Sequence, residues 1–596
     1  MGERRTVLVC LLTISAAFCL TTSCAEKTPP PKTAAAAPAA AAPVAAAAAV
    51  PSGPPVELIP AANARPHLLA SISVGSLNRL LENGTRLVGQ AVPLPMDANG
   101  IRDMLLTQAG LPPEVAANLD FASPAGAAFV AIGDKGESGT VLAVPAKGAA
   151  EAQRIIDALG KPVMVRGQVV LVRSATSGSG WLYRAGNVVV LSDELEALSR
   201  GAMLALEARR PGADDITADI FPEALARAHG TDVKSAIAHL MEEMRKQQGA
   251  AAAGALNERT MQPVAELLGL IGDAASAQVG LSADPARGLV LRARLLARPG
   301  TRLETVAREV HPFALDASVI GEKASRILVG ASSIGPFWRG LFDTYRARLA
   351  ADKGKGAAAA LAYLDATLAA MGGETSGAMW VRKEVPYLSG AFASPIKDTA
   401  SAAKLASSLG TMDTNAVSAF LRAQVGDQKM FDWTAKKETV GKVKALHYRI
   451  KWKKTGVDTE STRKFLGDEL DLYWAVAGTR IVFTLGRDAK TRLVALATGK
   501  PAADAPAGTL AEAMGAAKGR DTFYYMDLAP LVALAGKLSD EPRMQSLARS
   551  GGAPIPVVVT AGGDGAGKMW TTDLTVTVAA FSSIGALVAG GIGAAR

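Results

Sequence analysis

Cysteine is nearly missing from this chain of 596 residues: all three, Cys10, Cys19 and Cys24, fall at or before position 24. The body that follows has no thiol, which excludes disulfides, thiolate nucleophiles and cysteine-ligated zinc from it. Its stability must come from buried apolar surface, and a body of that length has enough of it to do without covalent staples. Histidine is almost as scarce. His67, His229, His239, His311 and His447 form no His-x-x-x-His or His-Glu-x-x-His pair, so no zinc-ligating pattern is present and neither a metal nor another cofactor is expected. Long apolar runs are missing too. The largely apolar segment of residues 6–20 is only 15 positions long, against the roughly 20 that span a bilayer. Residues 579–595 are mostly Gly, Ala and Ser, and are expected to form a terminal helix packed on its own lobe.

Residues 25–57 lack nearly every large apolar side chain and consist mainly of Ala and Pro. The prolines prevent the alanines from joining into one helix, and nothing offsets the entropy of ordering. A disordered tether over residues 24–57 is expected, reaching roughly 100 Å at about 3.1 Å per residue when stretched.

What precedes the tether is patterned. Arg4 and Arg5 lead into the apolar run, and Thr21, Thr22 and Ser23 stand directly before Cys24. That order reads as a secretory signal peptide over residues 1–23. It resembles the bacterial lipoprotein signal, in which small residues precede a cysteine that is acylated and becomes the new N-terminus. The resemblance implies a lipid on Cys24 and a membrane anchor, and Ala25 resembles an outer-membrane sorting choice. Met1, Gly2 and Thr6 also fit a myristoylation pattern, but an apolar signal core has no place in such a protein. Arg4-Arg5 fits a loose twin-arginine signal, against which the short charged region and leucine-rich core favour the general secretion route.

The body carries a collinear internal repeat. Leu142-Ala143-Val144-Pro145-Ala146-Lys147 aligns with Phe392-Ala393-Ser394-Pro395-Ile396-Lys397 at an offset of 250. Val74 to Arg79 matches Ile334 to Arg339 at 260, Gly126 to Val130 matches Gly377 to Val381 at 251, Ala185-Gly186 matches Ala477-Gly478 at 292, and Asp284 with Ala286 matches Asp564 with Ala566 at 280. Two lobes follow, residues 58–312 and 313–596, with an insertion in the second around residues 451–470. In the first, strands are predicted at 68–74, 127–132, 140–144, 163–172, 181–184 and 188–191, with helices at 76–88 and 148–159. Asp193 is expected to cap a helix running to about Arg209, helices are expected over 232–272 broken near Gly249, and residues 275–296 are expected to form a hairpin turning at Asp284-Pro285. Short turns between successive strands require antiparallel pairing, so the fold class is α+β, two duplicated lobes of antiparallel sheet flanked by helices.

Three motifs suggest catalysis. Gly562 to Lys568 resembles a phosphate-binding loop, but Met569 stands where Ser or Thr would hold magnesium and a strand follows instead of a helix. Ser401-Ala402-Ala403-Lys404 with Lys454-Thr455-Gly456 resembles elements of penicillin-binding enzymes, yet no Ser-x-Asn lies between them, and the first copy has Glu151 to Arg154 there. Gly330-Ala331-Ser332-Ser333-Ile334 misses the closing glycine of a serine-hydrolase elbow. The acidic pairs Glu242-Glu243 and Asp214-Asp215 read as solvated faces beside basic or capping residues.

One region points to binding. Between 436 and 454 lie Lys436, Lys437, Lys442, Lys444, Arg449, Lys451, Lys453 and Lys454 against the single acid Glu438. Tyr448, Ile450 and Trp452 alternate with Arg449, Lys451 and Lys453, which puts an apolar row on one strand face and a cationic row on the other. Lys442, Lys444, Arg449, Lys451, Lys453 and Lys454 form a candidate anion-binding strip for lipid headgroups or acidic glycans, with the net charge of +9 aiding encounter. The same lysines also serve to discourage edge pairing. Nucleic acid is not the expected partner of an exported protein. The overall expectation is a non-enzymatic, lipid-anchored cell-envelope protein with a binding or scaffolding role, on the outer membrane facing the periplasm or cell surface. A carrier of a lipid or other apolar ligand is the alternative, and a hydrolase with an unrecognised site comes third. This organisation resembles that of uncharacterised bacterial lipoproteins with duplicated domains of unknown function, a likeness that supplies no site.

Overall fold

A computed structural model describes residues 50–593 apart from 92–95, 109–110, 134–136, 175–177, 240–267, 321–324, 334–335, 352–354, 416–430, 453–462, 499–505, 540, 543–544 and 546–552. The fold is α+β, with antiparallel sheet flanked by helices. The chain divides into two compact units. One contains Leu94–Gly230, Gly280–Ala283 and the described residues through Val88; the other contains Gly89–Pro93, Thr231–Val279 and the chain from Asp284 onward.

In the first unit β1 (Leu68–Val74), β2 (Ala125–Ile132), β3 (Glu137–Pro145), β4 (Lys161–Arg166), β5 (Val169–Ser174), β6 (Gly178–Ala185), β7 (Val188–Ser192) and β8 (Ile216–Ile220) form one antiparallel sheet. Their spatial order is β8-β1-β2-β3-β7-β6-β5-β4. Helix Leu195–Ala208 covers β2 and β3, burying Ala197, Leu198, Ala202, Leu204 and Ala205 against Ala128, Val130 and Val141. Its close approach requires glycine: a Cβ at Gly139 would stand 2.3 Å from the Ala197 methyl, and one at Gly201 would stand 2.6 Å from Val141. The predicted cap at Asp193 is corrected. Glu194 occupies the N-cap position without a side-chain bond to the helix, and its own N–H donates to Ser192 Oγ at 3.3 Å.

β9 (Ala274–Asp284) leads into β10 (Gly288–Ala297) across a turn in which Asp284 Oδ1 accepts from the Ala286 and Arg287 N–H groups. The remaining strands are β11 (Arg326–Ser333), β12 (Glu374–Val381), β13 (Leu388–Pro395), β14 (Phe431–Val440), β15 (Val443–Trp452), β16 (Glu469–Ala477), β17 (Arg480–Leu485), β18 (Thr522–Asp527), β19 (Pro556–Gly563) and β20 (Met569–Thr577). In the second unit they run β10-β20-β19-β18-β11-β12-β13-β17-β16-β15-β14, all antiparallel. The core beneath contains Trp380, Tyr473, Phe523 and Leu493. The compact division does not fall at residue 312, because β10 pairs with β20 from Gly288↔Thr577 to Leu296↔Met569 and so packs with the later strands.

The pairings of β11 to β18 repeat those of β1 to β8 one for one. Even an irregularity recurs: Leu68 pairs with Val130 before the register shifts to Ala70↔Phe129, and Arg326 pairs with Trp380 before it shifts to Leu328↔Met379. The strands also refine the offsets. Gly186 and Gly478 turn at φ of 63° and 59°, which aligns Val188 with Arg480 and hence Pro145 with Pro395. Across the next pair Gly126 faces Ala143 and Ser376 faces Ala393, so Gly126 corresponds to Ser376 at 250, not to Gly377 at 251. A slip of one residue reverses the face that every side chain occupies.

The tether boundary is corrected as well. Residues 50–57 are placed: Gly53 N–H donates to Val165 O at 2.9 Å and Val165 N–H to Pro51 O at 3.0 Å, so the chain runs parallel to β4 there. Val56, Leu58 and Ile59 pack on the core under helix Leu195–Ala208, supplying the apolar anchors that the Ala/Pro stretch lacks. The strap also covers an edge strand that would otherwise present unpaired backbone. Helix Val578–Gly593 buries Ala580 and Leu587 against Ile555. No helix among the described residues is long and apolar enough to cross a membrane.

Candidate functional site

β14, β15 and β16 determine how the predicted cationic strip is presented. Arg449 pairs with Thr434 on one side and Asp471 on the other, His447 with Lys436 and Tyr473, and Lys451 with Asp432 and Glu469. These residues and Glu438 therefore share one face, while Leu446, Tyr448, Ile450 and Trp452 belong to the other. Burial pushes the Tyr448 phenol up from its ordinary pKa.

The cationic row on β15 is neutralised. Arg449 Nε donates to Asp471 Oδ1 at 2.9 Å, Lys451 stands 3.6 Å from Glu469, and Lys436 and Lys490 stand 3.4 and 2.6 Å from Glu438. His447 is the centre of this network and is buried. Its Nε2 lies 2.6 Å from Asp471 Oδ1, and its ring stacks on Tyr473 at 4.4 Å between centroids. Its Nδ1 lies 3.0 Å from Glu438 Oε2 without the alignment of a hydrogen bond. The hydrogen bond from Lys490 holds the Glu438 carboxyl below its ordinary value. Burial pushes Asp471 up, but hydrogen bonds from Arg449 and His447 outweigh it and hold that carboxyl low.

The six strip residues are not one surface. Arg449 and Lys451 are engaged by carboxylates on β16, Lys444 is on the opposite face, and Lys453 and Lys454 lie outside the described residues, as does Cys24. Lys442 and Lys444 are exposed and form no ion pair among the described residues. They rim a cleft of about 580 Å³ lined by Leu446, Val476, Ala406 and Gly410, and across it Lys437 Nζ donates to Gly410 O at 2.6 Å. Sequence reading missed Glu469, Asp471 and Lys490. The alternation of Glu469, Leu470, Asp471 and Leu472 is the signal for the acidic row, but only strand register places it beside Arg449.

No family model, no curated protein and no solved structure matches the chain. The remaining candidates are separately placed. Gly562 to Lys568 closes the β19–β20 hairpin, where Asp564 Oδ1 accepts from Ala566 and Lys568 N–H groups. Ser401 lies in the first turn of helix Thr399–Thr411 and its N–H donates to the capping Asp398. Ser332 Oγ is 3.0 Å from Thr522 Oγ1. His67 is 3.4 Å from Arg200. Among the described residues no three His, Cys, Asp or Glu side chains are grouped to hold a metal.

Asp214 and Asp215 are corrected from solvated to buried. Asp215 accepts from Arg79 Nε at 2.7 Å and from Ala283 N–H at 2.8 Å. Its counterpart is Asp521, whose carboxylate accepts from His311 and Gly563 N–H groups. The backbones agree: Gly75 N–H donates to Asp215 O and Asp215 N–H to Leu281 O, as Ser333 N–H donates to Asp521 O and Asp521 N–H to Ala561 O. This aspartate, present in both copies, ties three strands together. Glu242-Glu243 and the break near Gly249 lie outside the described residues.

Proposed function

We propose that this protein is a lipid-anchored component of a bacterial cell envelope, held through Cys24 on the outer membrane facing the periplasm or cell surface, with a non-catalytic binding or scaffolding role. The observation that carries the reading is the run of Thr21, Thr22 and Ser23 before the last cysteine of the chain, after an apolar segment of signal length. The Ala/Pro segment supplies reach, and the strap at residues 51–59 transfers that attachment to a folded unit. Anionic envelope lipids or glycans are the expected partners, and Lys442 and Lys444 at the 580 Å³ cleft support that choice. A binding role is further supported by the places of the catalytic lookalikes, one in a hairpin turn and one in a capped first turn of helix.

Metabolic labelling with an alkynyl fatty acid tests the anchor. Label is expected on the protein and lost in Cys24→Ser, with the variant leaving the membrane fraction. An intact leader on the native protein overturns the reading. For the partner, Lys442→Glu with Lys444→Glu is expected to weaken binding to anionic vesicles in a salt-sensitive manner, and unchanged binding removes that role. The apolar wall of the same cleft, Leu446, Val476 and Ala406, favours a second reading as a carrier of an apolar ligand. Native mass spectrometry of the purified body, with retained lipid as the supporting result, separates the two.

A further inference from the structure

The two copies treat one pair of cations differently. Lys147 and Arg154 in the first correspond to Lys397 and Lys404 in the second at the offset of 250, and the backbones match, since Lys147 N–H donates to Asn118 O and Lys397 N–H to Ala370 O. In the first copy both charges are engaged. Lys147 Nζ donates to Ala117 O at 2.7 Å, and Arg154 pairs with Glu151 at 3.2 Å. The second copy has Ser401 where Glu151 stands, so the neutralising acid is gone. Lys397 and Lys404 are exposed and form no ion pair or side-chain hydrogen bond among the described residues. Asp398, next to Lys397, is engaged as the helix cap by the Ser401 N–H.

Both lysines face a cleft of about 890 Å³ in the second unit, walled by Ala366, Met371 and the backbone of Gly372. Arg339 and Arg346 line it too, against Asp343 and Asp365, so its wall carries four cations and two carboxylates. Arg346 and Asp365 satisfy each other at 2.6 Å, and Arg339 lies 3.9 Å from Glu309. Among the described residues Lys397, Lys404 and the single carboxylate Asp343 are left without an ion pair, so the unpaired charge of the wall is net positive. A concave site with two unpaired ammonium groups and a net positive wall favours a compact anion, and lysine engages phosphate as a point charge.

We propose that this cleft binds a phosphate group, clamped between Lys397 and Lys404, and that the first copy has lost or never had the site because Ala117 O and Glu151 occupy its cations. The inference does not depend on the lipid anchor or on the cleft at Lys442.

The test uses the purified mature protein titrated calorimetrically with inorganic phosphate, with glycerol 3-phosphate and with phosphatidylcholine vesicles doped with phosphatidylglycerol. Binding is expected to weaken by about tenfold or more in Lys397→Ala/Lys404→Ala, the scale of losing charge-assisted hydrogen bonds. It is also expected to weaken in Ser401→Glu, which restores the acid of the first copy and neutralises Lys404. Lys147→Ala/Arg154→Ala is expected to bind as the parent does, and circular dichroism confirms that each variant folds. Binding of the soluble phosphates identifies a free phosphate or ester as ligand; vesicle binding that is lost in Lys397→Ala/Lys404→Ala, without binding of the soluble phosphates, identifies a lipid headgroup. The proposal is overturned by a parent that binds neither soluble phosphate and whose vesicle binding is unchanged in Lys397→Ala/Lys404→Ala, or by an equal loss in the first-copy variant.

Discussion

Arg292 and Asp573 face each other across the β10–β20 ladder, and Arg292 Nε donates to Asp573 Oδ1 at 2.7 Å. They are 281 positions apart, one from each repeat, and both are largely buried. Removing one partner strands a charge away from water. Asp573→Ala is expected to cost about 3–5 kcal/mol, whereas Arg292→Met with Asp573→Leu, which removes both charges, is expected to recover most of that loss. Urea denaturation of the parent and the two variants measures this, and a double variant no better than Asp573→Ala refutes it.

The helix over the first sheet depends on missing side-chain volume at Gly139. Gly139→Val forces a methyl into Ala197 and is expected to destabilise by about 1–3 kcal/mol. Gly180→Ala is the control, since its added Cβ meets nothing closer than the Ser192 carbonyl at 3.8 Å. Equal melting temperatures for the two variants contradict the packing account.

Asp471 and Glu438 are held below their ordinary values in the fold. The stability they contribute is full above the unfolded carboxyl pKa of about 4 and is lost as pH falls through the lower folded values. Asp471→Asn is expected to weaken the protein at neutral pH and to flatten its loss of stability below about pH 4. An unchanged acid limb would show that the His447 network carries none of it.

Asp521 has the opposite sign. Burial raises its carboxyl, and the backbone N–H groups of Gly563 and His311 offset only part of that. A raised folded value means stability is greatest below about pH 4 and declines as pH rises to the folded value, above which it levels off. Asp521→Asn is expected to remove that decline, read from urea midpoints across the range. A variant with the parent's slope would assign the decline elsewhere.

A chain beginning at residue 60 lacks the strap that a chain beginning at residue 50 retains. Loss of the backbone bonds to Val165 and of Val56, Leu58 and Ile59 from the core is expected to lower the melting temperature by several degrees, corresponding to about 2–4 kcal/mol. Equal melting temperatures would mean the strap adds nothing.

Several elements were legible because their signals are local. β1 was predicted at its observed bounds, and the Ala185-Gly186 and Asp284 turns depend on residues within a few positions of each other. The duplicated pattern of strands and turns, hence the α+β class, needs no long-range information. β8, with the short pattern of residues 216–220, went unread, as did the helices Ala98–Gln108 and Pro113–Asn118, whose periodicity is weak.

By itself the sequence determined alternation, turns and the order of strands, along with a signal-like start and a body without thiols. Tertiary structure decided which charges meet. Lys451 and Arg449 read as an open cationic row until strand register set Glu469 and Asp471 against them, and Lys397 and Lys147 read as equivalents until their surroundings engaged one and left the other unmatched. Pairing across strands depends on register and on distant segments, and a shift of one residue, as between Gly377 and Ser376, exchanges the faces on which a charge is satisfied or left for a ligand.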